Sequence, residues 1–319
     1  MATGIFAKDN QGLWTEKYRP KGLNDYIGNI DTKEQFKKFL DNKDIPHILM
    51  EGPPGTGKSS FANIVVTSIP CDFKYLNAST DNKIETVRTK IMSFCTTAGY
   101  ESLKVLILDE FDRMSPEAQD SLKAIMEQYS KHTRFILTCN NVERVVDAIK
   151  SRCQDFTIVP PTKKEVIAKC KEILTAENVI FDDEEVDVIV NKTYPDIRKA
   201  INTIQKLTID NVLKLSKEFY KILHYQKRVI EFLTTINDKN LFEKITEIRQ
   251  LMTDERVKVF NDLFRYLYDN IDVYKRKDEN VVPIILTLAE GQLNNAQAVD
   301  KEINMVATLI KLSEIISAK

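Results

Sequence analysis

Apolar and polar residues follow two different rhythms along this chain. Before residue 160 the apolar positions gather in short runs: His47-Ile48-Leu49-Met50-Glu51, Phe73-Lys74-Tyr75-Leu76-Asn77, Lys104-Val105-Leu106-Ile107-Leu108-Asp109, Arg134-Phe135-Ile136-Leu137-Thr138-Cys139 and Asp155-Phe156-Thr157-Ile158-Val159. Stretches with helical spacing separate most of them, over about 60–68, 84–96 and 116–130. Ser115-Pro116 opens the last of these, a hydroxyl N-cap followed by proline at the first helical position. Such alternation predicts a five-stranded parallel sheet with helices on its faces.

Pro160-Pro161 ends that rhythm, and no convincing strand series follows. Helices are predicted over 162–177, 183–193 and 196–206, then over longer stretches near 216–236, 240–251, 255–271, 281–291 and 298–317. Val299, Ile303, Val306, Leu309, Ile310 and Ser313 give the last an apolar stripe. The chain therefore divides into an α/β domain over 1–159, a small helical domain over 160–212 and a second helical domain over 213–319. Internal repeats and low-complexity tracts are absent.

Composition narrows the classes. With 319 residues the chain exceeds one typical domain, and 43% hydrophobic with 29% charged residues is too apolar for disorder. No stretch has the apolar length of a membrane span, and the first eight residues lack the apolar core of a secretory signal, so a cytoplasmic location is expected. Lys and Arg number 46 against 47 Asp and Glu, which excludes nucleic-acid binding by bulk charge and leaves a local basic surface as the route. The five cysteines, at 71, 95, 139, 153 and 170, contain no C-x-x-C and read as buried reduced thiols.

One segment carries chemistry directly. Gly52-Pro53-Pro54-Gly55-Thr56-Gly57-Lys58-Ser59 fits G-x-x-x-x-G-K-[ST] and lies between a predicted strand and a predicted helix. Glycines let backbone N–H groups curl inward, and the helix start adds its positive end, so the segment suits an anion. Lys58 would reach the β- and γ-phosphates of ATP, while the Ser59 hydroxyl would ligate Mg²⁺. The apolar strand ending in Asp109-Glu110 supplies the second half of such a site: Asp109 holds Mg²⁺ through water, and Glu110 activates the attacking water. Asp112 is assigned a surface or structural role. The Asn-Lys pairs at 42–43, 82–83 and 191–192 lack the following Asp of a guanine pocket, so adenine is favoured.

Beyond that loop, Glu16-Lys17-Tyr18-Arg19-Pro20, Ile45-Pro46-His47, Asp109-Glu110-Phe111-Asp112, Cys139-Asn140-Asn141, Ser151-Arg152-Cys153 and Pro195-Asp196-Ile197-Arg198-Lys199 form a set. Together these make the chain resemble AAA+ clamp-loader ATPases, both the small subunits of replication factor C and, more closely, the large subunit of T4-type phage clamp loaders. The phage tilt rests on Asp-Glu-Phe-Asp-Arg in place of Asp-Glu-Ala-Asp, and on Pro-Asp-Ile-Arg in place of Gly-Asp-Phe-Arg. The resemblance implies an AAA+ sheet domain, a helical lid and a C-terminal helical collar for oligomerisation.

It also implies roles. Asn140 matches sensor 1 and positions water at the γ-phosphate; Arg198 matches sensor 2 and reaches the phosphates from the lid. Arg152 matches an arginine finger acting in trans on a neighbour's ATP. The implied nucleotide-binding set is Thr15, Glu16, Lys17, Tyr18, Ile27, Gly52, Gly55, Thr56, Gly57, Lys58, Ser59, Ser60 and Arg198, the first five belonging to the adenine pocket. Lys83 and Arg88, with Arg113 more weakly, are candidates for duplex phosphates or else a solvated helix face. Lys83 also matches a basic position that restrains the catalytic glutamate until DNA arrives. Met92, Phe94 and Tyr100 are either an apolar projection for the clamp or buried core.

The implied partners are a sliding clamp, primer-template DNA, copies of the chain itself and a distinct small subunit, in a pentamer-like assembly without membrane attachment. The location would be the host cytoplasm if the chain is phage-encoded. Rival readings are another AAA+ DNA motor, such as a branch-migration helicase or an initiator, and a non-hydrolysing scaffold. The motor would need a C-terminal DNA-reading module, which residues after 212 do not show. Intact Lys58, Asp109, Glu110 and Arg152 speak against the scaffold.

Overall fold

The computed structural model describes residues 12–78, 84–235, 243, 245–247, 249 and 260–317. It divides into two compact units, Met1–Leu213 and Lys214–Lys319.

The first unit is built on five strands: β1 (Ile48–Glu51), β2 (Asp72–Asn77), β3 (Lys104–Asp109), β4 (Thr133–Cys139) and β5 (Gln154–Thr157). Their spatial order is β2-β3-β4-β1-β5, and every pairing is parallel. Central strands β1, β3 and β4 are largely buried and read as apolar runs, whereas the edge strands β2 and β5 are only partly covered. Alternate residues serve opposite faces. Ile48, Met50, Val105, Ile107 and Ile136 pack with Phe36 of α2 (Ile30–Asn42) and with Phe61, Ile64 and Val65 of α3 (Lys58–Ser68). Leu49, Leu106, Leu108, Phe135 and Leu137 pack with Ile91 of α4 (Ile84–Thr96) and with Leu122, Ile125 and Met126 of α5 (Pro116–Tyr129). Ser115 caps α5 by accepting the Ala118 N–H.

Short helix α1 (Trp14–Lys17) precedes the sheet in sequence, and α6 (Asp147–Lys150) lies between β4 and β5. Three further helices follow the double proline: α7 (Lys163–Ala176), α8 (Asp183–Thr193) and α9 (Ile197–Leu207). Capping boxes at Thr162/Glu165 and Asp182/Glu185 start the first two, and the Asp196 carboxylate starts the third.

Two elements depart from the sequence expectation. Helix α2 sits in a highly charged segment whose apolar stripe is only Phe36, Phe39 and Leu40, yet Phe36 is fully buried against Phe61 and Phe156. A small antiparallel hairpin, β6 (Thr208–Ile209) with β7 (Val212–Leu213), lies beyond the double proline, where no strands were expected. Its turn is Asp210-Asn211, both with positive φ (52° and 58°), the conformation a two-residue hairpin favours.

In the second unit, α10 (Lys217–Thr235) packs with helices Phe260–Asp269, Val281–Gln297 and Lys301–Ser317 around Phe232, Leu233, Phe264, Leu267, Leu288, Leu309 and Leu312. The last helix buries Met305, Leu309, Leu312, Ser313 and Ile316, and Val306 packs partly on the same core, so the predicted stripe overlaps the buried face from Val306 onward. Ile303 is exposed, and Val299 is exposed and precedes the helix. The helix predicted over 240–251 falls largely outside the described residues. No helix among the described residues is long and apolar enough to cross a membrane.

Candidate active site

The carboxyl ends of β1, β3 and β4 share one rim of the sheet, the edge where open α/β folds place ligands. From β1 the phosphate loop runs into α3 through Gly55 (φ 76°) and Gly57 (φ 99°), both in the left-handed region. A side chain at Gly57 would press on the Tyr26 ring, whose hydroxyl donates to the Thr56 carbonyl at 3.0 Å. Thr56 is itself buried and donates to the Pro53 carbonyl. The loop is held in shape from below as well as by its own backbone.

Lys58 is buried, and its ammonium donates to the carbonyls of Gly52 (2.7 Å) and Pro53 (2.9 Å) and to Asn140 Oδ1 (2.8 Å). Burial pulls its pKa below the usual lysine range, with Asp109 opposing that shift. Asp109, at the end of β3, collects three hydroxyls. Ser59 and Tyr75 donate to Oδ2 at 2.8 and 2.6 Å, and Thr138 donates to Oδ1. Thr138 also accepts the Glu110 backbone N–H at 3.3 Å, so one hydroxyl touches both adjacent acids.

Glu110 ends the strand in a left-handed conformation (φ 54°, ψ 42°), and its carboxylate pairs with Arg113 at 3.1 Å. Asp112 is buried, and its Oδ2 accepts the Asn141 N–H at 3.3 Å, a structural contact that ties the turn after β3 to the end of β4.

Lys58, Ser59, Asp109, Glu110 and Asn140 line a polar compartment together with Gly55, Gly57, Ser60 and Arg198. A second, more apolar compartment adjoins it and shares Gly55, Gly57, Ser60 and Arg198. Its remaining walls include Thr15, Tyr18, Arg19, Tyr26 and Ile27 from the N-terminal segment and Ile197 and Ile201 from α9. Arg198 thus stands at the border of both.

Glu16 and Lys17 are not among the lining residues. Glu16 grips Arg19, which lines the cleft and also donates to Ser60, while Lys17 pairs with Glu177 at 2.7 Å. Arg152 lines neither compartment; its guanidinium lies on α5, donating to Glu127 and, at 2.6 Å, to the Ala148 carbonyl.

A family model, "ATPase family associated with various cellular activities (AAA)", matches residues 48–161, from β1 through the double proline. Replication factor C small subunits of Sulfurisphaera tokodaii and Archaeoglobus fulgidus are each 31% identical, covering 94% and 96% of this chain and 95% and 99% of their own. The chain belongs to the replication factor C small-subunit family of AAA+ clamp-loader ATPases. Among solved structures, the Thermotoga maritima RuvB Holliday junction branch migration motor aligns with a TM-score of 0.54 at 16% identity, covering 79% of this chain and 91% of that one. At that identity the likeness speaks for the fold.

Against this clamp-loader framework, the remaining predicted residues distribute unevenly. Arg88 is exposed on α4, Arg113 is tied to Glu110, and Lys83 lies outside the described residues. Met92 and Phe94 pack partly against the core beside α5, whereas Tyr100 is fully exposed. Sequence reasoning passed over Tyr75, Thr138, Tyr26 and Glu127 as site residues. Thr138 had a signal, since it precedes Asn140 on the strand beside Asp109; Tyr75 and Glu127 become visible only through tertiary placement.

Proposed function

We propose that this chain is an ATPase subunit of a DNA-polymerase sliding-clamp loader. ATP binding opens and grips the clamp and primer-template DNA, and DNA-triggered hydrolysis releases the loaded clamp. The observation that carries the reading is a division of cations. Lys58 and Arg198 border the polar compartment, while Arg152 of Ser-Arg-Cys is turned onto the outer surface of α5. An arginine held there serves a neighbour's nucleotide rather than its own, which makes each site complete only in an assembly.

The donor set fits a magnesium nucleotide. Left-handed glycines expose loop N–H groups, Lys58 supplies a buried ammonium, and a hydroxyl and a carboxylate meet at Ser59 and Asp109. The purine would occupy the apolar compartment beside Thr15, Tyr18 and Ile27, with Glu16 and Lys17 shaping it indirectly through Arg19 and α1. Mg²⁺, when bound, supplies charge neutralisation at the phosphates; Ser59 and Asp109 would hold it. Glu110 takes the proton of the attacking water, Asn140 orients that water, and Arg198 links lid position to the phosphates. The Glu110–Arg113 pair must open before Glu110 can act.

DNA phosphates are assigned to Lys83, Arg88 and Arg113, where opening of the Arg113 pair would couple DNA arrival to Glu110. Residues 160–212 act as the lid and 213–319 as the oligomerising collar. The partners are the clamp, further copies of this chain and a distinct small subunit, in the cytoplasm, which is the host's if the chain is phage-encoded. ATPase measured with and without clamp and primed DNA, in the presence of the small subunit, tests the reading. Synergy of clamp and DNA is expected. Strand separation without clamp dependence, or no turnover at all, would remove it.

A further inference from the structure

Asp109 is held from three directions, and only one of the three donors, Ser59, has a part in the proposed function. Ser59 reaches it from the start of α3, and Thr138 from the neighbouring strand β4. The third donor, Tyr75, comes from β2 on the other side of β3 and gives Oδ2 its shorter bond, 2.6 Å against 2.8 Å for Ser59. The register explains the reach: Tyr75 stands opposite Ile107, two residues before Asp109, so both side chains project from the same face of the sheet. A phenylalanine would fill that face equally well. Only the hydroxyl distinguishes the residue present from ordinary packing.

We propose that Tyr75 is a positioning residue for the metal carboxylate, fixing Asp109 with Oδ2 beside Ser59 and thereby setting the affinity of the nucleotide site for Mg²⁺. The proposal rests on Ser59 and Asp109 being the metal pair. An ionised carboxylate offers about four acceptor positions. Three are taken by hydroxyls, and the Ser59 hydroxyl is the one that would turn toward a cation, leaving Tyr75 and Thr138 to keep the carboxylate plane in place. Tyr75 suits that task because its hydroxyl, carried on a ring that packs against the core, donates to Oδ2 at 2.6 Å from the strand next to β3. Outer-sphere partners of this kind typically carry about 10–100-fold in metal affinity.

The test is Tyr75→Phe in the full chain, which removes one oxygen and retains the ring. A fluorescent ATP analogue is titrated at a series of Mg²⁺ concentrations and again in excess chelator, with a melting curve as control. The Mg²⁺ concentration giving half-maximal binding should rise about tenfold, with chelator affinity and melting temperature unchanged. Mn²⁺ binding to the nucleotide complex, followed by electron paramagnetic resonance, should weaken by a similar factor.

An unchanged Mg²⁺ requirement overturns the proposal. So does an equal loss of binding in chelator, which would mark a general distortion of the site. Wild-type protein that binds the analogue with no divalent-cation dependence would instead remove the metal assignment of Ser59 and Asp109, and this proposal with it.

Discussion

Arg113 Nε lies 3.1 Å from Glu110 Oε2, so the proposed catalytic base is paired with a cation three residues along its own chain. The arginine is 58% exposed and the glutamate 33%. Pairs this open to water contribute about 0.2–1 kcal/mol, which makes the restraint easily reversed. Arg113→Ala should therefore raise DNA-independent ATP hydrolysis about two- to fivefold and lower the stimulation ratio by DNA. Steady-state phosphate release with and without primed DNA measures both. An unchanged ratio would separate Arg113 from the control of Glu110.

Arg152→Ala should lower ATPase of the assembly by about 10³–10⁵, the range for loss of an arginine finger. Nucleotide affinity of the isolated chain should not change, because Arg152 lines neither compartment. Glu127 holds the guanidinium on the protomer's own surface, and its carboxyl lies below the normal glutamate value of 4.5 because of hydrogen bonding from Arg152. The pair is therefore fully formed at neutral pH and loosens only as pH falls below that value. Glu127→Gln removes the ionic partner of the proposed finger and leaves its bond to the Ala148 carbonyl; the ATPase rate of an assembly carrying it should change, and that of the isolated chain should not.

His47 gives the fold an acid sensitivity. Its Nδ1 accepts the Phe135 N–H at 3.1 Å, and burial, with Arg134 nearby, lowers its pKa from 6.5 to about 4. Between these values the unfolded chain binds a proton that the folded chain refuses. Stability from this site is thus complete above pH 6.5 and declines as pH falls toward 4. Thermal unfolding at pH 7 and pH 5 should show a smaller drop for His47→Gln than for wild type.

Gly55→Ala should destabilise the protein by about 2 kcal/mol, from the left-handed φ of 76° and from a methyl group driven into the Asp196 carboxylate. That carboxylate caps α9 by accepting the Lys199 N–H at 2.9 Å. Asp196→Gly added to the same chain relieves the collision but not the backbone penalty, so recovery in denaturant titration should be partial.

The sheet was legible because β3 and β4 are buried on both faces, and such strands write themselves as unbroken apolar runs. Helix α2 was hidden for the opposite reason: nine of its thirteen residues are charged or polar, and one phenylalanine does most of the burying. The hairpin at 208–213 was too short for periodicity and was marked only by its Asp-Asn turn. In the site, contiguous residues spoke first. Gly55, Gly57, Lys58 and Ser59 form one motif, and Asp109 follows one strand. Tyr75, Thr138 and Arg113 owe their places to register and to a turn, which a linear pattern does not display.

Had β3 run one residue further, Asp109 and Glu110 would have faced opposite sides of the sheet, as successive strand residues do. The left-handed corner at Glu110 prevents this and leaves two neighbouring acids with separate companions, three hydroxyls for one and a guanidinium for the other. Such a corner would suit glycine or asparagine; holding a glutamate there costs about 1 kcal/mol. Backbone comfort and chemical usefulness therefore pull residue 110 in different directions, and a search for sturdier versions of this chain would discard the acid first.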